Sequence, residues 1–234
     1  DYDFNFLMVS QQGPRKNFVN SVKWWVEEFF DQEVGLVLKT NIKSNSNIDW
    51  EVLNFEFSSM LSKYKDRTCK VYLLHGDLTS GQLNGLYSNP KIKALINISH
   101  GEGFGLPMFE AAREALPIIT VGWSGQLDFL HHNNKNYFQE VEYSIMNVQK
   151  EAVWKGVIES DSKWAYADQG SYKMTLRKTH KKWDSCKETA LELAAIINEK
   201  FSDERLFEGF CDAIYQPDPD FLEWMQELEA LDEE

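Results

Sequence analysis

Short apolar runs that alternate with longer amphipathic segments are the feature that most constrains how this chain can fold. Strands are predicted at residues 4–10, 34–38, 71–74, 94–99, 118–121 and 137–141. These runs are apolar throughout rather than at every second position, which is typical of parallel strands buried on both faces. We therefore expect an α/β, doubly wound, Rossmann-like parallel sheet in three α/β/α layers, with ligands at the carboxyl ends of the strands.

The segments between the strands carry helical signals. Apolar residues recur at helical spacing over residues 18–30 and 53–64, and Thr79 with Gln82 forms a capping-box pattern. Residues 108–114, 188–200 and 203–215 are also predicted to be helical, whereas residues 150–184 show no clear period. We predict one Rossmann-like domain over residues 1–215, followed by an acidic amphipathic helix at 216–234.

Composition excludes several classes of protein. The net charge of -13 argues against a nucleic-acid partner, because phosphate backbones bind clustered Lys and Arg. The three cysteines are widely spaced and fit neither a disulfide framework nor a zinc motif, which favours a reducing, cytoplasmic location. No apolar run has the length needed to span a membrane. No metal ligand set is predicted.

The segment at residues 99–110 carries the chemistry. It joins a predicted strand to a predicted helix, and its glycines let the backbone pass close to a ligand. The amino-terminal end of the helix presents free amides to an anion. A dinucleotide fingerprint would need glycine at position 106, but the third glycine is Gly105. Instead, Glu102 and Glu110 flank the loop with seven residues between them.

This segment resembles the E-x7-E signature of retaining glycosyltransferases with the GT-B fold (group 1, family 4). The matching residues are Ser99, Glu102, Gly103, Phe104, Gly105, Leu106, Glu110 and Ala111. The first loop is similar to the family's opening V-G-R-x-x-x-x-K-N, with Lys16 on the lysine that contacts the donor diphosphate. Gln11 replaces the usual arginine, and Arg15 is the candidate to supply the missing charge. Gly76 and Leu78 lie where the family reads the nucleotide base.

The resemblance implies a role for each residue. Lys16 would neutralise the diphosphate and stabilise the leaving group, and Glu102 would bind donor-sugar hydroxyls and orient the anomeric carbon. These two residues are the predicted catalytic pair. The amides of residues 103–106 would line the sugar and phosphates, and Glu110 would bind the ribose hydroxyls. The family needs no essential metal, so the UDP- or GDP-sugar substrate is the only expected small-molecule partner.

The same resemblance implies that the chain is the C-terminal donor-binding half of a hexosyltransferase. An N-terminal acceptor domain would be missing, and membrane association of the full enzyme is not encoded in these residues. Two alternatives remain open at this stage. One is a non-catalytic nucleotide-binding module of the same fold, which Gln11 favours. The other is a GT-B-type nucleotide-sugar epimerase, which the pair Glu102 and Glu110 disfavours.

Overall fold

The computed structural model describes residues 2–215 together with Phe221 and Trp224. The strands are β1 (Asn5–Gln11), β2 (Gly35–Asn41), β3 (Lys70–Leu74), β4 (Ile92–Asn97), β5 (Ile118–Val121), β6 (His131–His132), β7 (Lys135–Asn136), β8 (Gln139–Val141), β9 (Tyr143–Asn147) and β10 (Lys163–Ala167). The helices are α1 (Phe18–Glu28), α2 (Asn47–Leu61), α3 (Ser80–Tyr87), α4 (Leu106–Arg113), α5 (Leu127–Leu130), α6 (Gln169–Lys181), α7 (Trp183–Lys200) and α8 (Asp203–Ile214). Single 3-10 turns cover Pro14–Lys16, Ser62–Tyr64 and Lys150–Ala152.

Six of these strands form one sheet in the order β3-β2-β1-β4-β5-β8, and every neighbouring pair is parallel. The chain first winds outward from β1 through β2 to β3, and then returns to β4 on the other side of β1. The predicted doubly wound fold is therefore confirmed. Its topological switch point lies between β1 and β4, where ligands of such sheets bind at the carboxyl ends.

One face of the sheet is covered by α1, α2 and α6. Phe6 of β1, Trp25 of α1 and Phe29 after α1 are each fully buried in a single apolar cluster. Phe29 lies 5.3 Å from Phe6 and 5.2 Å from Trp25 between ring centroids. Tyr172 of α6 joins this core, and its hydroxyl donates to the Ser21 carbonyl at 3.2 Å. The cluster fixes α1, and with it the turn that precedes α1.

The opposite face carries α3 and α4, which contact each other. Residues on β4 alternate between the two faces, so Asn97 points away from the large apolar cluster. Ala111 and Ala112 of α4 are fully buried, and their small side chains let the helix lie close to β4 and β5. The amino-terminal end of α4 is thereby held at the carboxyl edge of the sheet.

The stretch that showed no clear period, residues 150–184, contains regular structure. Strand β10 pairs antiparallel with β9, and fifteen residues separate them in the chain. Helix α6 begins at Gln169, earlier than any helix predicted there. Its buried face includes Ser171, Thr175 and Thr179, so a search for recurring apolar residues does not find it.

Contacts divide the chain into two units, Asp1–Ala195 and Ile196–Glu234. In the second unit, Ser202 caps α8 by accepting from the Arg205 amide. The predicted acidic helix at residues 216–234 lies outside the described residues, apart from Phe221 and Trp224, and stays a prediction. Among the residues that the structure describes, none of the helices combines the length and apolar character needed to cross a membrane.

Replacing Phe29 with alanine tests the packing of α1 against the sheet. Because the ring is fully buried, we expect Phe29→Ala to lower the free energy of unfolding by about 3–5 kcal/mol. Phe55→Ala is the matched control, since that ring is 75% exposed on α2 and should change stability by less than about 0.5 kcal/mol. Urea unfolding followed by circular dichroism measures both. Equal losses in the two variants would contradict this core.

Candidate functional site

The site lies at the switch point, where the loops that follow β1 and β4 meet. The His100 amide donates to the Arg15 carbonyl at 2.8 Å, which joins the two loops through their backbones. Asn17 has a left-handed backbone conformation and lies between the 3-10 turn and α1. Arg15 and Lys16 therefore lie at the carboxyl edge of the sheet. The order β2-β1-β4 thus places the predicted cations opposite the predicted acidic loop.

Glu102 is the centre of a dense polar cluster. Its Oε1 accepts from the Lys16 Nζ at 2.5 Å, and its Oε2 accepts from the Arg15 Nη1 at 2.9 Å. Oε1 also accepts from the Ser99 Oγ at 2.8 Å and from the Asn97 Nδ2 at 3.2 Å. A carboxylate that is only 7% exposed is therefore surrounded by four donors, two of them cationic.

The charge of Glu102 follows from these partners. Burial alone would raise the pKa of this carboxyl, but hydrogen bonds and charge from Lys16 and Arg15 outweigh it and hold the pKa at about 2. Glu102 is therefore an anion at neutral pH. The carboxylate and its two cations together carry one positive charge, which suits an anionic ligand.

The loop after β5 holds the Glu102 peptide in place. The Ser124 Oγ accepts from the Glu102 amide at 3.1 Å and donates to the Glu102 carbonyl at 2.6 Å. The Gly125 amide donates to the same carbonyl at 3.0 Å. A Cβ on Gly125 would lie 1.9 Å from the Gly103 carbonyl oxygen, so only glycine permits this approach. The hydrogen bonds from Ser124 and Gly125 fix the conformation of the acidic loop.

The loop runs into α4 through Gly105, which has a φ of 90° and makes no side-chain cap. In the first turn of α4, Pro107 has no amide hydrogen and the Met108 amide donates to the Gly105 carbonyl at 2.8 Å. That the amides of the loop and of Leu106 bind an anion stays a prediction. Leu106 is 57% exposed at this end, with Pro107 in the first turn. Phe104 directs its ring toward Phe109 and Phe129, with centroids 5.2 and 5.0 Å away, and the residue remains 36% exposed.

A cavity of about 290 Å³ opens beside this helix end, at the carboxyl ends of the first strands. Gln11, Leu78 and Pro107 contribute to its lining. The Gln11 Nε2 donates to the Ile42 carbonyl at 2.7 Å, and the Gly76 carbonyl accepts from the Lys39 Nζ at 2.7 Å. The structure therefore groups Gln11 with Leu78 around one cavity, together with Pro107 of the first turn of α4.

Glu110 lies one turn further along α4 and faces α3. Its Oε2 accepts from the Tyr87 hydroxyl at 2.9 Å. Burial of Tyr87, together with the charge of Glu110, raises the pKa of that phenol, so the hydroxyl stays a donor at neutral pH. Tyr87, which was not predicted from the sequence, thus orients Glu110, the residue predicted to bind the ribose hydroxyls. Asn97 was also missed, although it lies only five residues before Glu102. Ser124 was predicted as a candidate contact of the sugar or phosphate, and in the structure it holds the Glu102 peptide.

No protein-family model matches the sequence, and no curated protein matches it. Solved structures do match. A trehalose-6-phosphate protein from E. coli, bound with UDP-2-fluoro glucose, aligns with a TM-score of 0.60 at 11% identity, over 92% of this chain and 45% of that one. Anabaena HepE, in complex with UDP and glucose, gives a TM-score of 0.57 at 12% identity, over 90% and 48%.

The C-terminal domain of LpcC, a group 1 glycosyl transferase from Francisella tularensis, aligns over 85% of both chains with a TM-score of 0.51 and 11% identity. The chain spans less than half the length of the E. coli protein and of HepE. At these identities the likeness establishes the fold alone. The protein has the fold of a GT-B glycosyltransferase, in the α/β form that the sequence predicted.

The acid stability of the protein should report the charge of Glu102. Its folded pKa of about 2 lies below the ordinary value of 4.5, so its contribution is complete above pH 4.5 and is lost as the pH falls toward 2. We expect Glu102→Gln to cost on the order of 2 kcal/mol at pH 7, with a gap to the parent that narrows below pH 4.5. Urea unfolding between pH 7 and pH 3 measures this gap. Glu51→Gln, an exposed change on α2, is the control, and a constant gap would contradict the assignment.

A glycine pair tests the contact that holds the acidic loop. Gly125→Ala should destabilise the protein by about 1–3 kcal/mol, because the new Cβ would collide with the Gly103 backbone. Gly85→Ala is the control, since its Cβ would enter open space within α3 and should stabilise the helix by roughly 0.5–1 kcal/mol. Thermal melts of both variants compare the effects. A Gly125→Ala protein as stable as the parent would mean that the loops do not pack in this way.

Proposed function

We propose that this chain binds a nucleoside-diphosphate sugar and is the donor-binding part of a retaining glycosyltransferase that transfers a hexosyl group. The observation that carries the proposal is the placement of Arg15 and Lys16 side by side on Glu102, in the loop that leads into α4. That arrangement lies at the switch point of the sheet, and the structurally similar HepE was solved in complex with UDP and glucose.

The diphosphate is assigned to the cations and the loop amides. Lys16 and Arg15 neutralise it, and the amides of residues 103–106 donate to its oxygens. Because charge grows on the leaving diphosphate during transfer, Lys16 also stabilises the transition state. Arg15 takes the place of the arginine that Gln11 replaces, since its guanidinium is 41% exposed and lies beside Lys16 on Glu102.

The nucleoside is assigned to the 290 Å³ cavity lined by Gln11 and Leu78. The base stacks at the ends of β2 and β3, where the backbone of Gly76 and Leu78 reads its edge. Glu110 accepts from the ribose hydroxyls through the oxygen that Tyr87 does not occupy. This assignment follows the sequence prediction and adds Tyr87 as the residue that orients the carboxylate.

Glu102 has two roles in the proposal. It anchors the two cations, and its four donors saturate it. When the diphosphate draws Lys16 and Arg15 toward itself, the carboxylate is released to bind donor-sugar hydroxyls. The cations supply the positive charge that other transferases obtain from a metal, so no metal is required. The acceptor is expected to bind together with a further, N-terminal domain of the enzyme.

Calorimetric titration with UDP, GDP and ADP, followed by the matching glucose nucleotides, tests this function. We expect one diphosphate series to bind, and Lys16→Ala and Arg15→Ala each to weaken it roughly tenfold to hundredfold through loss of a charged hydrogen bond. Lys23→Ala removes an exposed cation of α1 and is the matched control. Binding that persists unchanged in both site variants would sink the assignment. Binding without sugar transfer by the complete enzyme would favour the non-catalytic module.

A further inference from the structure

A second, larger cavity is lined by parts of the loops that follow β1 and β4, and none of the predicted donor-site residues is among its described lining residues. Its volume is about 480 Å³, within the range of about 300–1,000 Å³ that small-molecule sites occupy. One wall is the 3-10 turn and the start of α1, with Gln12 and Asn20, and the other is the β9–β10 hairpin region, with Gln149 and Tyr166. His100 lines both this cavity and a neighbouring cavity that reaches Glu102.

His100 is held rigidly, with one ring nitrogen left over. Its Nδ1 lies 2.7 Å from the Ala165 carbonyl, which only accepts, so Nδ1 carries the proton. The ring stacks on Trp164 at 5.2 Å and contacts Tyr166 at 4.4 Å. Burial lowers the pKa of His100, so the ring is neutral at pH 7. Nε2 is therefore a hydrogen-bond acceptor on a side chain that is 4% exposed, and no described residue donates to it.

The cavity walls are polar but uncharged. Gln12, Asn20 and Gln149 present amide groups, Tyr166 and Phe18 present aromatic carbon, and none of the described residues in the lining carries a charge. The Asn20 Nδ2 donates to the Asn17 Oδ1, which leaves the side-chain oxygen of Asn20, its Oδ1, free for a ligand. A phosphate or carboxylate would find no cation here. Mixed amide donors and acceptors with aromatic faces suit a neutral ligand that carries several hydroxyls on an apolar ring.

We propose that this cavity is a binding subsite for a neutral sugar, with the His100 Nε2 accepting a hydrogen bond from one of its hydroxyls. His100 belongs to the donor loop and also lines the cavity, so a sugar here lies next to the transferring group. The assignment of this sugar as the acceptor rests on the proposed transferase function. The binding of a sugar in the cavity does not depend on that function.

The test is saturation-transfer NMR on the 234-residue chain with the methyl glycosides of glucose, galactose and N-acetylglucosamine. We expect at least one to bind, and UDP not to compete with it. His100→Asn keeps an amide donor for the Ala165 carbonyl but removes Nε2, and should weaken the glycoside roughly tenfold. Asn20→Ala, on the exposed rim, should weaken it too, and a thermal melt checks that each variant is folded. Asn84→Ala, on α3 and outside the cavity, is the matched control.

The outcomes separate the two proposals. No glycoside binding, competition by UDP, or unchanged binding in both cavity variants would overturn the sugar subsite. Nucleotide binding is measured in a separate titration. Its absence alongside intact glycoside binding would overturn the transferase function and leave the subsite standing.

Discussion

The buried carboxylate of Glu102 joins the two halves of the sheet where they diverge. The loop that carries Arg15 and Lys16 follows strand β1, and the loop that carries Glu102 follows strand β4. Burying a lone carboxylate costs several kcal/mol, and only paired cations and further donors offset that cost. Asn97 and Ser99 supply those donors from the end of β4. The charge arrangement of the site thus depends on the topology, because the parallel pairing of β1 with β4 brings these loops together.

The hairpin β9–β10 extends this arrangement beyond the Rossmann-like sheet. The Ala165 amide donates to the His100 carbonyl at 3.0 Å, so the edge of the hairpin continues the backbone contacts of the acidic loop. Trp164 and Tyr166 enclose His100 on that side. An element that is peripheral to the sheet therefore forms one wall of two cavities and gives the protein surface chemistry that the fold alone does not provide.

The parts that local sequence determines were predictable. Apolar runs mark the first five parallel strands, whereas β8 contains Gln139 and Glu140. The Thr79–Gln82 capping box is present as predicted. The loop at residues 99–110 was recognisable because its glycines and glutamates are adjacent in sequence. The contacts of Tyr87 with Glu110 and of Ser124 with Glu102 were not predictable, because folding brings these residues together from more than twenty positions apart. Helix α6 was missed because threonine and serine fill much of its buried face.

The contacts from Ser124 and Gly125 to the Glu102 peptide also have a thermodynamic consequence. They hold the acidic loop in one conformation as part of the fold, so the conformational entropy of ordering it is lost during folding and not during binding. An incoming anion then meets backbone amides that already hold their positions. The affinity of such a site depends on the stability of the loop contacts as much as on the groups that touch the ligand, and it can therefore change through residues that never reach it.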